Sequence, residues 1–190
     1  MSKKIVIGIT GRTGSGKSHA CGWIKKNINN VEHIDCDAIG HNVLEINEIK
    51  EALLAIFGKN IEENGKINRS KLGKIVFNNK EKLLALNELV HPKICDIVTD
   101  TIKKTSKTTI IIEGALIHQV GLEDACNHTI CIDSPTSAIL DRRPDKEIIL
   151  TKQPKANDYI NMCNHTIKNN TSIELFEEKI NALFDRLNIN

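Results

Sequence analysis

The architecture of this chain follows from the stretch Gly11-Arg12-Thr13-Gly14-Ser15-Gly16-Lys17-Ser18. It fits G-x-x-x-x-G-K-[ST], a pattern whose glycines let the backbone form a concave nest of N–H groups that point at phosphate oxygens. The β-branched run Ile5–Ile9 before it is typical of a strand buried in a parallel sheet, and Ala20–Lys26 after it is typical of a helix. The alternative is a glycine-rich turn that carries Lys-Ser by coincidence. Because strand, loop and helix occur in register, the stretch predicts a nucleotide phosphate site.

Two side chains of this phosphate loop suit phosphate chemistry. Lys17 supplies a mobile cation over the β- and γ-phosphates, and the Ser18 hydroxyl is placed to ligate the Mg²⁺ between them. The helix that follows directs its positive end at the same anion. The predicted nucleotide-binding residues are Gly11, Thr13, Gly14, Ser15, Gly16, Lys17, Ser18 and His19.

The composition of the 190 residues is that of an ordinary globular domain, with 40% apolar and 26% charged residues. A net charge of +2 and an aromatic content of 3% argue against a nucleic-acid partner, which calls for a basic face or stacking platforms. Met1–Lys4 is too short a lead for a signal peptide, and no apolar run is long enough to span a bilayer. We therefore expect a cytoplasmic protein with no membrane partner. Its six cysteines lack metal-type spacing, so we expect them to be reduced and structural.

Strand and helix patterns alternate along the chain, which predicts an α/β fold: a doubly wound parallel sheet of about five strands with helices on both faces. The predicted strands are Lys4–Thr10, Glu32–Asp35, Thr109–Ile112, Thr129–Ile132 and Thr166–Lys168. Helices are expected over Lys17–Asn27, Val43–Phe57 and Lys80–Lys103, with Pro92 kinking or splitting the last at His91. Ser134 is expected to cap a helix that runs to about Arg142.

Carboxylates follow several of the predicted strands, where ligands of doubly wound sheets bind. They are Asp35, Asp37, Glu113 and Asp133. Asp37 lies just past the second strand, where a carboxylate can orient an attacking alcohol and accept its proton. A lone loop aspartate is otherwise a cap or a turn residue. Glu113 could order Mg²⁺ through water, although nothing else in the sequence supports that role.

Two further polar residues are candidates for substrate contacts. Arg69, at the start of a short predicted helix, could bind a substrate phosphate, but in isolation it is indistinguishable from a surface arginine. His91 precedes Pro92, where a helix break could expose its imidazole, and a packed histidine is the equally good alternative.

Several blocks of the sequence, taken in order, resemble the dephospho-coenzyme A kinase family. Besides the phosphate loop they are Ile34–Ile39, Gly65–Leu72 with Ile75–Phe77, Leu89–Pro92 and Thr166–Asn170. The phosphate loop alone is shared by many families, whereas the I-D-x-D, N-R-x-x-L and H-P blocks in this order are more specific. The resemblance extends from residue 4 to about residue 185.

The resemblance implies an enzyme that uses ATP and Mg²⁺ to phosphorylate the ribose 3′-hydroxyl of dephospho-coenzyme A, its small-molecule substrate. It implies that Asp37 is the catalytic carboxylate and that Arg69 and His91 contact the coenzyme. It also implies one kinase domain over residues 1–190, with a core of about 1–40, 106–135 and 165–190. A helical substrate-binding part would take about 41–105 and a short lid about 136–164. The alternatives are another small-molecule kinase of the same type and, in a different class, a regulatory ATPase.

The chain departs from the family pattern at the lid. Related lids carry two arginines four residues apart, whereas this shorter segment offers the adjacent pair Arg142 and Arg143. Neighbours on a helix point in different directions, so at most one of the two can face the nucleotide. We expect Arg143 to be the catalytic lid arginine, because Pro144 should end the helix there; Lys152 and Lys155 are the next candidates.

Overall fold

The computed structural model describes residues 4–189. Within them the chain forms two compact units, one made of residues up to Cys36 and from Thr101 onward, the other of Asp37–Asp100. The predicted division into core, substrate-binding part and lid stays a prediction. The expectation about a signal peptide rests largely on residues 1–3, which lie outside the described residues.

The helices and strands alternate along most of the chain. In chain order they are β1 (Ile5–Thr10), α1 (Lys17–Asn27), β2 (Val31–Asp35), α2 (Cys36–Val43), α3 (Asn47–Phe57), β3 (Glu62–Glu63), β4 (Lys66–Ile67), α4 (Arg69–Val76), α5 (Lys80–Lys104), β5 (Thr109–Glu113), α6 (Ile117–Val120), β6 (His128–Asp133), α7 (Thr136–Arg142), α8 (Glu147–Lys152), α9 (Ala156–Met162), β7 (His165–Lys168) and α10 (Ile173–Arg186).

The first unit is built on a five-stranded sheet of order β2-β5-β1-β6-β7, and every neighbouring pair is parallel. This confirms the predicted doubly wound α/β fold. The phosphate loop connects β1, the central strand, to α1. The loop therefore lies at the carboxyl edge of the sheet, where the ends of β2, β5 and β6 also lie.

Alternation along the strands explains how the sheet is covered. Ile7 and Ile9 of β1 face a core shared with α1 and α10, in which Ile24 and Phe176 are buried. Gly8, between them, faces the opposite side, where a side chain would meet Ile117 of α6. Both faces of the sheet are thus buried, as β-branched runs in a parallel sheet require.

The second unit is helical apart from the β3–β4 hairpin. The predicted helix over Val43–Phe57 is in fact α3, which begins at Asn47, and a separate helix, α2, precedes it. Of the two effects predicted for Pro92, the split does not occur, because α5 continues through the proline, and a kink stays a prediction. The proline removes one backbone hydrogen bond, and burial of Val90, Ile94 and Val98 on either side compensates for that loss.

The segment after β6 forms the three short helices α7, α8 and α9. Ser134 does not cap α7, contrary to the prediction; Pro135 occupies the N-cap position. The buried Ser134 hydroxyl instead donates a 2.8 Å hydrogen bond to Asn169 O. A buried hydroxyl needs a partner, and the nearby carbonyl provides it in place of the helix end.

Two expectations from composition concern the cysteines and the membrane. No disulfide joins any of the six cysteines, and Cys21, Cys36 and Cys131 are buried, as expected for reduced structural residues. Across residues 4–189, no helix combines the length and apolar character that a bilayer crossing requires.

Candidate phosphate-binding and catalytic site

The phosphate loop depends on backbone conformations that favour glycine. Gly11, Gly14 and Gly16 have φ angles of 137°, 74° and 109°. A Cβ atom on Gly11 would overlap Ile132 O, and one on Gly16 would overlap Asn169 Nδ2. The motif glycines are therefore required both by conformation and by close approach of neighbouring chain.

Asn169 fixes the loop from the end of β7. Its buried side chain donates a 2.8 Å hydrogen bond from Nδ2 to Ser15 O, and its backbone N donates to Asp133 O at 2.7 Å. Its own carbonyl accepts from Ser134, whose hydroxyl also accepts a 2.6 Å hydrogen bond from Arg142 Nη2. The ends of β6 and β7, together with α7, thereby hold the loop in place.

Lys17 and Ser15 present polar groups to the interior of the loop. The buried Lys17 ammonium donates to Gly11 O at 3.0 Å and to Arg12 O at 3.2 Å, so the side chain folds back across the loop. The Ser15 hydroxyl is buried and makes no hydrogen bond to any part of the chain that the structure describes. An unpaired buried hydroxyl is costly unless a ligand satisfies it. A phosphate oxygen at this helix N-terminus would do so.

Glu113 connects the loop to the sheet. The Ser18 hydroxyl donates a 2.6 Å hydrogen bond to Glu113 Oε1, and His33 Nε2 lies 3.0 Å from Oε2. Burial alone would raise the pKa of Glu113, but hydrogen bonds from His33, Ser18 and Cys21 hold it below its ordinary value. The carboxylate is therefore anionic at neutral pH. Together with the Ser18 hydroxyl it supplies hard oxygen donors, which are the ligands that suit Mg²⁺.

The register of the sheet explains this cluster. Asp35 pairs with Glu113 and His33 pairs with Ile111, so His33 and Glu113 lie two residues apart along the same sheet face. Helix α1 packs against this face, with Cys21 and Ile24 buried there. Ser18 and Cys21 are separated by one turn of α1, so both reach Glu113.

The predicted acceptor-side residues all lie in the second unit. Asp37 is exposed in the first turn of α2, directly after β2 ends. Arg69 is the first residue of α4, whose N-cap Asn68 accepts a 3.0 Å hydrogen bond from Lys71 N. His91 is half-buried within α5, next to Pro92.

The adjacent arginines Arg142 and Arg143 have different hydrogen-bond partners. Arg143 is the C-cap of α7, and its guanidinium binds the Asp145 carboxylate through two hydrogen bonds of 3.0 Å. This exposed pair raises the pKa of Arg143 and lowers that of Asp145. Arg142 instead donates a hydrogen bond to Ser134. Ser134 in turn donates to Asn169, the residue that anchors the phosphate loop.

Three contacts in and around the loop were not foreseen from the sequence. His33 binds Glu113, and its position two residues before Asp35 on a strand was the available signal. Gln153 Oε1 accepts a 2.8 Å hydrogen bond from Thr13 N, a long-range contact with no local signature. Nε2 of the outward-facing His19 lies 2.8 Å from Glu177 Oε1. Ser18 and His19 also line an open cleft of about 530 Å³ beside α1.

A family model described as dephospho-CoA kinase matches residues 5–174 of this chain. The chain belongs to the dephospho-CoA kinase family. A relative of that name from Fusobacterium nucleatum is 30% identical over 185 residues, covering 93% of this chain and 95% of the relative. Another, from Leptospira interrogans, is 30% identical over 202 residues, covering 97% and 94%. Membership makes the chain an ATP-dependent kinase of coenzyme A biosynthesis, as the resemblance implied.

Solved structures agree on the fold. A Thermus thermophilus protein aligns over 97% of this chain and 98% of its own length, with a TM-score of 0.80 and 24% identity. The dephospho-CoA kinase from Campylobacter jejuni gives a TM-score of 0.71 at 24% identity over 96% of both chains. Shikimate kinase from Bacteroides thetaiotaomicron gives 0.54 at 14% identity, covering 97% of this chain and 98% of its own. The fold is that of the phosphate-loop kinases.

Proposed function

We propose that this kinase transfers the γ-phosphoryl group of ATP to the ribose 3′-hydroxyl of dephospho-coenzyme A, giving coenzyme A and ADP. The observation that carries the proposal is the rigid phosphate loop, with Lys17 folded over it and the Ser18–Glu113 pair beside it, in a chain of this family.

Binding of the ATP phosphates follows from the loop. Its backbone N–H groups, the N-terminus of α1 and the Ser15 hydroxyl all favour an anion between them. Lys17 would leave its two carbonyl partners for phosphate oxygens, where its charge stabilises the phosphoryl group in transfer. His19, at the cleft beside α1, is the outermost of the proposed nucleotide contacts.

Mg²⁺ is the metal that these donors fit. Ser18 would hold it directly, and Glu113 would bind it through water or order its hydration shell. When bound, Mg²⁺ neutralises charge on the β- and γ-phosphates. Before Mg²⁺ binds, the role of Glu113 is electrostatic. Its anionic carboxylate accepts the hydrogen bond from Ser18 and so fixes the rotamer of that side chain.

On the acceptor side, Asp37 would orient the 3′-hydroxyl and accept its proton. An exposed carboxylate in the first turn of α2 is accessible to a substrate. Arg69 would bind a phosphate of the coenzyme and His91 would contact its polar groups. Arg143, at the end of α7, would exchange Asp145 for the transferring phosphoryl group.

A substrate panel tests the proposal. ADP release by the purified kinase is measured with dephospho-coenzyme A, with nucleosides, with shikimate and with sugar alcohols, each at several concentrations. Saturable turnover with dephospho-coenzyme A, at a kcat/KM far above the other acceptors, is expected. Preference for another alcohol would replace the proposed substrate. ADP release that no acceptor accelerates would instead indicate a regulatory ATPase.

A further inference from the structure

The side chains behind the phosphate loop include a second, chemically different set of metal ligands. Cys21 of α1, His33 of β2 and Glu113 of β5 each offer one ligand atom, and these three atoms all lie within 4.8 Å of one another. His33 Nε2 and Glu113 Oε2 are already only 3.0 Å apart. The ligands of a tetrahedral metal are separated by roughly 3–4 Å, so small side-chain rotations suffice to close the set.

The three residues come from three different elements that the core holds together. Cys21 is 1% exposed, and the Glu113 and His33 side chains are 8% and 20% exposed. The partial exposure of His33 provides a path for an ion, while the buried thiol and carboxylate shield it from water. A rigid, mostly buried set of this kind differs from acidic side chains that meet by chance on a surface.

The donor types select the metal. Thiolate and imidazole are ligands for Zn²⁺ and other late first-row metals, whereas Mg²⁺ takes oxygen ligands. Three protein ligands leave one tetrahedral position for water or for the Ser18 hydroxyl, which lies 2.6 Å from Glu113 Oε1. The site therefore resembles a three-ligand zinc centre with an open position.

We propose that Cys21, His33 and Glu113 form a Zn²⁺ site and that its occupation inhibits the kinase. Zn²⁺ binds the sulfur as a thiolate, and the thiol proton leaves to solvent. Burial and the Glu113 carboxylate raise the pKa of the free Cys21 thiol, and a dication at the same place offsets both effects. Lys17 opposes the added charge and Asp35 favours it.

Inhibition follows from the shared carboxylate. Glu113 would bind Zn²⁺ beside His33 through Oε2, while its Oε1 faces Ser18. A dication on this carboxylate would repel the Mg²⁺ that Ser18 is placed to hold. This consequence rests on the proposed function, whereas Zn²⁺ binding does not. The experiment therefore measures binding and inhibition separately.

Binding is measured on the intact, metal-free protein by equilibrium dialysis with Zn²⁺ and by absorption with Co²⁺. One tightly bound Zn²⁺ and a thiolate-to-Co²⁺ charge-transfer band are expected. Cys21→Ala should abolish the band, and Cys21→Ala and His33→Gln should each weaken Zn²⁺ binding by more than the roughly 10–100-fold typical of losing an outer-shell partner. Circular dichroism verifies that each variant folds, and two variants on different elements guard against loss of fold in one.

His165→Gln is the matched control. His165 Nε2 lies 3.5 Å from His128 Nδ1 on the neighbouring strand, so this pair is the competing place for a late transition metal. The control should retain the tight Zn²⁺ and the charge-transfer band. The proposal is overturned if the wild type binds no stoichiometric Zn²⁺, or if His165→Gln removes it while Cys21→Ala and His33→Gln do not.

For each variant, inhibition is measured as its turnover with one equivalent of Zn²⁺ divided by its own turnover in zinc-free buffer. Wild type should lose most of its turnover, and Cys21→Ala should be much less sensitive. Stoichiometric Zn²⁺ binding without inhibition would overturn the inhibitory role. Failure of the proposed function is recognised separately, as absence of dephospho-coenzyme A phosphorylation in zinc-free buffer.

Discussion

The Ser18 hydroxyl donates a 2.6 Å hydrogen bond to Glu113 Oε1, which joins the last residue of the phosphate loop to the end of the neighbouring strand. The other oxygen of the same carboxylate binds His33. The side chain that the sequence marks as the Mg²⁺ ligand is thus already oriented by a buried anion.

Glu113→Gln should raise the Mg²⁺ concentration needed for half-maximal turnover by roughly 10–100-fold, the usual cost of losing an outer-shell carboxylate. The amide keeps the shape of the side chain but lacks its charge. Glu32→Gln is the matched control, since Glu32 is another carboxylate of this sheet, half-buried, and accepts a 2.7 Å hydrogen bond from Thr105. An unchanged Mg²⁺ dependence in Glu113→Gln would remove Glu113 from the metal site.

The lowered pKa of Glu113 also predicts how stability depends on pH. Because its pKa is lower in the folded state than in the unfolded state, the carboxylate stabilises the fold above the ordinary glutamate pKa of about 4.3. That contribution is lost as the pH falls through the folded-state value. In urea unfolding at neutral pH, the free energy of unfolding should be larger for wild type than for Glu113→Gln. This difference, the stability gap, should narrow in acid. A gap that stays constant or widens in acid would contradict this assignment.

Asn169→Ala should destabilise the protein by about 1–3 kcal/mol, because Ser15 O would remain buried without its partner. The loosened loop should also raise the KM for ATP more than it lowers kcat. Asn170→Ala, at the exposed neighbouring position, is the control and should change neither quantity. Urea unfolding and ATP titration measure both. If Asn169→Ala has the same free energy of unfolding as wild type, the hydrogen bond to Ser15 does not fix the loop.

Asp37→Asn should lower turnover by roughly 10²–10⁴-fold, the range for a positioned general base, with little change in ATP affinity. The substitution preserves size and removes basicity. Glu48→Gln is the matched control, since Glu48 is another exposed acid in the first turn of a helix of the same unit. If ATP binding collapses in Asp37→Asn, the residue belongs to the metal shell or to the fold and is not the base.

Arg143→Ala and Arg142→Ala should have unequal effects. Loss of Arg143 should lower kcat, because its guanidinium is expected to meet the transferring phosphoryl group. Loss of Arg142 should act mainly through Ser134 and the phosphate loop, and therefore on stability and the KM for ATP. Equal and small effects on kcat would exclude both as lid arginines and direct the search to Lys152 or Lys155.

Much of the fold could be predicted because its signals are local. The sequences of β1, β5 and β6 are rich in β-branched residues. The loop glycines adopt positive φ angles, which other residues rarely do. Ser134 shows where this reasoning fails. Serine before proline resembles a helix cap, but its partner is Asn169, 35 residues away, and only the sheet brings the two together.

The candidate site was predictable in its motif and not in its supporting contacts. Lys17 and Ser18 are recognised from spacing, whereas the pairing of Ser18 with Glu113 spans 95 residues and depends on the register of β1 and β5. The hydrogen bond from Thr13 N to Gln153 Oε1 joins residues 140 positions apart, and no sequence pattern predicts it. Contacts of this range are set by packing of the whole unit.

The most direct test of the account is to identify the product that the wild-type kinase forms from ATP and dephospho-coenzyme A. Phosphorus NMR and mass spectrometry of the reaction should show coenzyme A with a new 3′-phosphomonoester, formed in equal amount to ADP. Lys17→Ala should fold normally and form almost none, because the cation that stabilises the transferring phosphoryl group is gone. Lys25→Ala, an exposed lysine on the same helix, should match wild type. Absence of the 3′-phosphorylated product from folded wild type, or equal product from Lys17→Ala, would contradict the account.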